Sequence, residues 1–298
     1  MRIQSPISFA RIIHLNNKMI YNDIYLNMIG FLFLGIFLTV PYYYRVELTD
    51  TMNYYIASKN MKSVFVPLSV SLCTFVIGNL LYFVAYYLEH PFFEQYKVSK
   101  TAWPWKKEKQ FPKKLKSSIV VSLMNSLVLT PILGLVVVST VGMQFGTEVE
   151  DLPSYPAHIL QMIFMMLCDD TFFYFSHRLL HTKFLYKHIH SWHHDHYNSI
   201  SLAAEYAHPI EFIFGNLLPT ALGAAILGPR THVLTYGCYI VYRVMETLEA
   251  HGGYEFPWAM THFLPFSCSI DHHDHHHRVN KGNFGSFLIL WDAVFGTN

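Results

Sequence analysis

The chain has 298 residues, 52% of them hydrophobic and 16% aromatic, with only 14% charged and a formal net charge of +1. The charged share is far below the roughly 25% of an average soluble domain, so the composition is that of a membrane protein and offers no electrostatic footprint for nucleic acid. Cys73, Cys168, Cys238 and Cys268 are scattered with no Cys-x-x-Cys pair, which indicates neither a disulfide framework nor a thiolate zinc site and suits small residues packed in or near apolar segments.

Along the chain, Arg2, Arg11 and Lys18 precede the first apolar run together with many polar residues, and no small-residue cleavage site closes it. A cleaved signal peptide is therefore not expected. A membrane-spanning helix needs about 20 mostly apolar residues, and four stretches supply them: 24–44, 64–87, 119–144 and 157–175. Two more, 208–227 and 233–250, are interrupted by Pro219 and by Arg243, Glu246 and Glu249, a pattern that suits a re-entrant or amphipathic hairpin. No Ser/Gly linker and no internal repeat divides the chain. The expectation is a single all-α integral membrane domain over 1–298, with about four transmembrane helices plus a membrane hairpin. Residues 24–150 hold spans and a lysine-rich loop, and 155–298 hold the chemistry.

Loop charge sets the orientation. Residues 97–116 hold eight lysines against one glutamate, whereas 145–156 hold Glu148, Glu150 and Asp151 and no lysine or arginine. The positive-inside rule places the lysine loop in the cytosol and the acidic loop opposite. The N-terminus and everything after the fourth span, except the hairpin tip, then fall on the cytosolic side. The bland account of the lysines is a solvated linker that obeys topology; the sharper one is a patch for lipid or an acidic partner.

Of the nineteen histidines, seventeen lie between His158 and His277. Their spacing is that of metal ligands. Helix positions i, i+3 and i+4 share a face, so His177 and His181 can meet one ion, and His190, His193 and His194 repeat the logic. The stretch DHHDHHH (271–277) fits in two registers, His273 with His276 and His277 or His272 with His275 and His276. Any one histidine alone is more often a surface or satisfied core residue, but eight from three clusters exceed what one ion can take. A dinuclear centre on a cytosolic, histidine-rich helical cap follows, since a catalytic ion commonly takes about three protein ligands and keeps an open position.

Those three clusters, set among spans, resemble the histidine boxes of the fatty acid hydroxylase superfamily of membrane di-iron oxygenases. LAAEYAHPIE (202–211), ETLEAHGGYEFPW (246–258), HHDHHH (272–277) and NFGSFLILWDAVFGT (283–297) resemble its C4-methylsterol oxidase branch over roughly 155–298, the fatty acid hydroxylase-like catalytic region. The third box of that family reads His-Asp-x-His-His, which selects His273, His276 and His277. The resemblance implies that His177, His181, His190, His193, His194, His273, His276 and His277 bind two iron ions, with His251 and His208 as candidate ninth and tenth ligands. A histidine before proline, as His208 is, could instead cap the following helix. Carboxylates that orient ligand imidazoles are expected at Asp170, Asp274 or Asp292, although Asp170 could instead pair with Arg178 or Arg243. Trp192, Trp258, Trp291 and the run 172–174 read as packing or interfacial aromatics.

The resemblance further implies O₂-dependent oxidation of a sterol C4-methyl through alcohol and aldehyde to carboxylate, in the endoplasmic reticulum membrane. No G-x-G-x-x-G nucleotide fingerprint is present, so electrons are expected from cytochrome b5 and its NAD(P)H-dependent reductase, with the lysine loop as a docking surface. Other readings are a sterol side-chain, sphingolipid or fatty acid hydroxylase, a zinc-dependent membrane hydrolase, which the lack of His-Glu-x-x-His disfavours, and a metal transporter or storage protein. Zinc outcompetes ferrous iron for nitrogen ligands, so purified protein could carry zinc.

Overall fold

The computed structural model describes residues 24–140, 142–263 and 266–298. The residues before position 24, and with them the expectation about a signal peptide, lie outside the described residues. Helices α1 (Ile24–Tyr43) and α2 (Arg45–Tyr55) form a bent pair. They are followed by α3 (Lys59–Leu88), α4 (Phe111–Thr140), α5 (Tyr155–Leu180), α6 (Pro209–Arg230), α7 (Val233–His251), α8 (Ile270–Val279) and α9 (Leu290–Phe295). Among the described residues there are isolated bridges but no strands. Helices α3 to α6 are each long and apolar enough to cross a membrane, and the α1–α2 pair, bent by 57°, would make a fifth as a broken span.

Contacts between loops sort the helix ends onto two sides. On one side Lys62 at the start of α3 meets Glu148 of the acidic loop at 3.2 Å, and the Gly146 amide donates to Thr231 at the α6–α7 turn. On the other, Lys114 reaches the Asp195 carbonyl at 2.8 Å, Ser118 meets His196, and Val98 donates to Gly253. The lysine loop and the histidine segments therefore share one face of the molecule. The acidic loop and the α6–α7 turn share the other.

The stretch 208–250 forms two long helices that run from the side of the histidine segments to the side of the acidic loop and back. Its first arm is α6, where Pro219 follows a π-helical segment (Phe212–Leu217) and costs little, because it stands near the start of the α-helical run Leu218–Leu227. Its second arm, α7, rises 19 residues, roughly 28 Å at 1.5 Å per residue, close to the roughly 30 Å of a hydrocarbon core. The charges that made α7 look amphipathic are buried and paired: Arg243 meets Asp169 of α5 at 3.2 Å and Glu246 at 2.6 Å. Polar groups persist at membrane depth when the surrounding helices satisfy them.

Close backbone approach holds this packing. A Cβ on Gly78 of α3 would stand 2.4 Å from Leu248 Cδ1 of α7, and one on Gly223 of α6 would stand 2.6 Å from Met165 Cα of α5. Small residues at such crossings let helices meet without a hydrophobic drive between them. The outward faces of α3 and α4 carry exposed Leu80, Leu81, Phe83, Ile132 and Val136, as lipid contact requires. Of the cysteines, Cys268 is buried, Cys168 and Cys238 are half-buried, and Cys73 is exposed on α3.

Candidate metal centre

Three segments end at one place. Helix α5 delivers His177 and, at its C-cap, His181. A π-helical turn (Tyr186–His190) and a 3-10 turn (His193–Asp195) bring His190, His193 and His194. Helix α8, capped by the Ser269 side chain, brings His273, His276 and His277, and the last turn of α7 brings His251.

Nine histidines gather into two groups whose ligand nitrogens lie within 4.8 Å of one another: His177, His181, His190, His194 and His276 in one, His193, His251, His273 and His277 in the other. The boxes do not map one to an ion. Pairs four apart stay together (177 with 181, 190 with 194, 273 with 277), while the members three along, His193 and His276, cross to the opposite group. Each of the second and third boxes thus binds the two groups to each other.

Metal-ready chemistry is visible in the other ring nitrogens. Nδ1 of His177 faces the Phe284 carbonyl at 3.0 Å, that of His193 the Tyr206 carbonyl at 3.3 Å, that of His251 the Thr247 carbonyl at 2.7 Å and that of His276 the Gly282 carbonyl at 2.6 Å. A carbonyl only accepts, so each of these Nδ1 atoms carries the proton and each Nε2 presents a lone pair. Nε2 of His193 and His251 nevertheless face each other at 3.2 Å. Two lone pairs at that distance repel unless a cation lies between them. The remaining close Nε2 spacings, 2.9 Å for His181 with His190, 3.0 Å for His181 with His276 and for His251 with His273, and 3.1 Å for His190 with His194 and for His273 with His277, match ligands about 2.1 Å from a common ion at right angles. Burial also keeps the imidazoles neutral, pushing His190 and His276 down to about 3 and His181 to about 2. The residues fit a pair of metal ions.

The supporting partners differ from those expected. Asp170 accepts from the Leu288 amide at 2.9 Å, and Asp274 pairs with Arg278 at 2.8 Å; neither touches a metal-facing ring. Asp170 points toward the loop before α9 rather than along α5, and Arg243 pairs instead with its neighbour Asp169. The carboxylate that does orient a ring is Glu211, whose Oε1 holds His190 Nδ1 at 2.7 Å. It stands within AHPIE, the run that had drawn attention to His208, so its signal was a carboxylate inside an apolar stretch. Asp292 acts one bond further out: it accepts from the Phe284 and Gly285 amides at 3.0 and 2.7 Å and so shapes the loop whose carbonyls orient His177 and His276. Gly285 is required there, since a Cβ would stand 2.6 Å from the Leu288 carbonyl oxygen.

His208 is not brought to either group. Its Nδ1 accepts from the Ile210 amide and caps α6, and its ring packs on Trp192 at 4.8 Å. His272 turns away to Asp292 at 3.2 Å, and His275 is exposed. Beside the groups lies a chamber of about 30 Å³, lined by His177, His193, His251, Glu211, Asn216 and Thr247, with room for a water-sized ligand.

A family model described as fatty acid hydroxylase matches residues 162–297. A protein of Oryza sativa subsp. indica named very-long-chain aldehyde decarbonylase GL1-11 is 44% identical over 150 residues, 49% of this chain and 55% of that protein. Methylsterol monooxygenase 2-2 of Arabidopsis thaliana is 43% identical with the same coverage. A Dictyostelium discoideum protein provisionally named a methylsterol monooxygenase is 33% identical over 214 residues, 70% of this chain and 74% of that protein. The chain thus spans about half the length of the curated relatives it matches at higher identity. No solved structure matches it significantly.

Proposed function

As the chain belongs to the fatty acid hydroxylase family, we propose that it is a membrane-bound, non-haem di-iron monooxygenase acting on the C4-methyl group of sterol precursors. The observation that carries the metal reading is the His193–His251 contact, two acceptor nitrogens at 3.2 Å that only a cation reconciles. Iron held by the nine histidines would supply O₂ reduction and the oxidising power to attack an unactivated C–H bond. The chain's own residues orient and exclude. Backbone carbonyls and Glu211 fix five of the nine rings, and the chamber beside them admits a small ligand while the buried walls keep bulk water out.

The first round converts the methyl to an alcohol with one O₂, two electrons and two protons, releasing one water; two further rounds, each with the same inputs, yield the aldehyde with two waters and then the carboxylic acid with one. With no nucleotide motif in the chain, the electrons come one at a time from cytochrome b5, recharged by an NAD(P)H-dependent reductase. Lys106 and Lys114 are paired with Glu89 and Glu108, so exposed Lys107, Lys109, Lys113 and Lys116 are the docking charges. The lysine side, with the histidines, faces the cytosol of the endoplasmic reticulum membrane.

The test is rescue of a cell lacking C4-methylsterol oxidase, with sterol profiling, comparing the native chain with His276→Ala. Persistence of methylsterols despite expression of the native chain would sink the sterol assignment. The decarbonylase name of equally similar relatives supports one rival, so the same membranes are to be offered a very-long-chain aldehyde; alkane formation without sterol oxidation would replace this reading.

A further inference from the structure

A second cavity, of about 240 Å³, lies among α3, α4, α6 and α7 and shares Asn216 and Thr247 with the chamber beside the histidines. Its walls are mainly aliphatic, and Leu218, exposed on the lipid-facing side of α6, stands at its rim. At the inner end the lining turns polar. Glu205, Asn216, Thr247 and Arg243 meet there. Arg243 is already engaged by Asp169 and Glu246. Glu205 Oε2 takes only a long 3.4 Å bond from Asn216 Nδ2. Burial pushes the Glu205 carboxyl up to about 7, so it can donate or accept near neutral pH.

These groups are tied to the metal site through the backbone. Thr247 offers the carbonyl that orients His251, and Tyr206, next to Glu205, offers the one that orients His193. Asn216 stands on the π-helical segment that follows Glu211, the partner of His190. Anything hydrogen-bonded at this throat is therefore held at a fixed offset from the histidine groups.

We propose that Glu205, Asn216 and Thr247 form a polar subsite that grips a hydroxyl of an otherwise apolar lipid and so determines which carbon faces the metal site. Resting on the sterol reading above, the hydroxyl is the one on C3: its carbon is bonded to C4, so the oxygen lies three bonds from the methyl that reacts. A linear aldehyde has no second polar group beside its reacting carbon and gains nothing from this subsite. The subsite thus separates the two activities that similarly close relatives are named for.

The experiment compares a C4-methylsterol with its 3-deoxy analogue and its 3-O-methyl ether, using the full chain in lipid nanodiscs. Two quantities are read: equilibrium binding to the metal-free chain and kcat/KM after anaerobic iron loading. The native chain is expected to favour the 3-hydroxysterol by roughly 10- to 100-fold, the range for losing a hydrogen bond to a charged or buried partner. Glu205→Leu and Asn216→Leu should shrink that preference to within about threefold, whereas Glu205→Gln, which keeps a hydrogen-bonding head, should retain most of it. Iron per chain, measured on every variant, shows whether the fold survives, and if a leucine variant fails to load, the native chain's own discrimination decides. Equal binding and turnover of all three lipids by the native chain overturns the subsite. So does a preference that survives in both leucine variants, and in either case sterol oxidation itself still stands. If the native chain oxidises no sterol, the functional reading falls, and the subsite with it.

Discussion

The two histidine groups are built from the same motifs but are not equivalent. One has five imidazoles and supplies two of them, His177 and His190, to the wall of the small chamber, whereas the other has four and supplies three, His193, His251 and His273. A group of four next to a cavity keeps a coordination position free, as catalytic sites do; a group of five is nearer saturation. The throat residues Thr247 and Glu205 are also tied, directly or through Tyr206, to the four-histidine group. The asymmetry teaches that box spacing sets how many histidines are available, whereas the crossing of His193 and His276 and the arrival of His251 on α7 set which group presents more of its rings to the chamber.

The sharpest way to break this comparison is to remove His251. His251→Ala should lower iron from about two to about one per chain and cut turnover by more than the roughly 10- to 100-fold typical of losing an outer partner. His208→Ala, which removes only a helix cap and a ring contact, should leave iron content near native. Metal analysis and sterol turnover on the two variants decide. Equal iron loss in both would mean that the cap on α6 is a ligand after all.

Stripping the metal should expose the repulsion between facing lone pairs. Chelation is expected to lower the thermal midpoint, and ferrous iron or zinc should each restore it, since any cation that binds the folded state and not the unfolded one stabilises by mass action. Only iron should restore oxidation. Scanning calorimetry alongside turnover separates the two effects, and an unchanged midpoint on stripping would argue against a metal between His193 and His251.

Glu211 sharpens the comparison at the five-histidine group. Glu211→Gln keeps the shape but weakens the hold on His190 Nδ1, with an expected loss of roughly 10- to 100-fold in iron affinity or turnover. Asp170→Asn, at one of the positions expected to orient a ligand imidazole, should leave iron affinity unchanged because Asp170 bonds the Leu288 amide. Titration of the stripped chain with ferrous iron reads both.

The three boxes and the four apolar runs could be read directly because helical spacing and hydrophobic length are local properties. Four features could not. His251, offered by the resemblance of ETLEAHGGYEFPW and not by spacing, joins from 58 residues beyond His193, a gap that no spacing rule spans. The Asn125–Leu129 and Phe212–Leu217 segments are π-helical, which shifts faces relative to an α-helical count. The charges on α7 argued against a buried crossing until Asp169 supplied Arg243 with its partner. The residues NFG were visible as a marker, but their role in shaping carbonyls for His177 and His276 depends on Asp292, several residues downstream and across a turn.

The smallest effects test the two histidines left out of the groups. His275 is exposed on α8, and its ring takes part in no contact that supports a ligand, so His275→Ala should match the native chain in iron content and turnover. His272 is different in kind. It holds Asp292, which holds the Phe284–Gly285 amides, whose loop in turn presents the carbonyls that orient His177 and His276. Three links separate it from the metal, and Thr297 also bonds Asp292 at 2.7 Å, so the loop keeps one of its two side-chain braces when His272 is lost. His272→Ala should therefore cost only a few-fold, on the order of one neutral hydrogen bond at about 1 kcal/mol. His272→Gln, which can still donate to Asp292, should recover most of it. A loss at His272 as large as that at His276, unrelieved by glutamine, would mean that α8 turns its other register toward the metal.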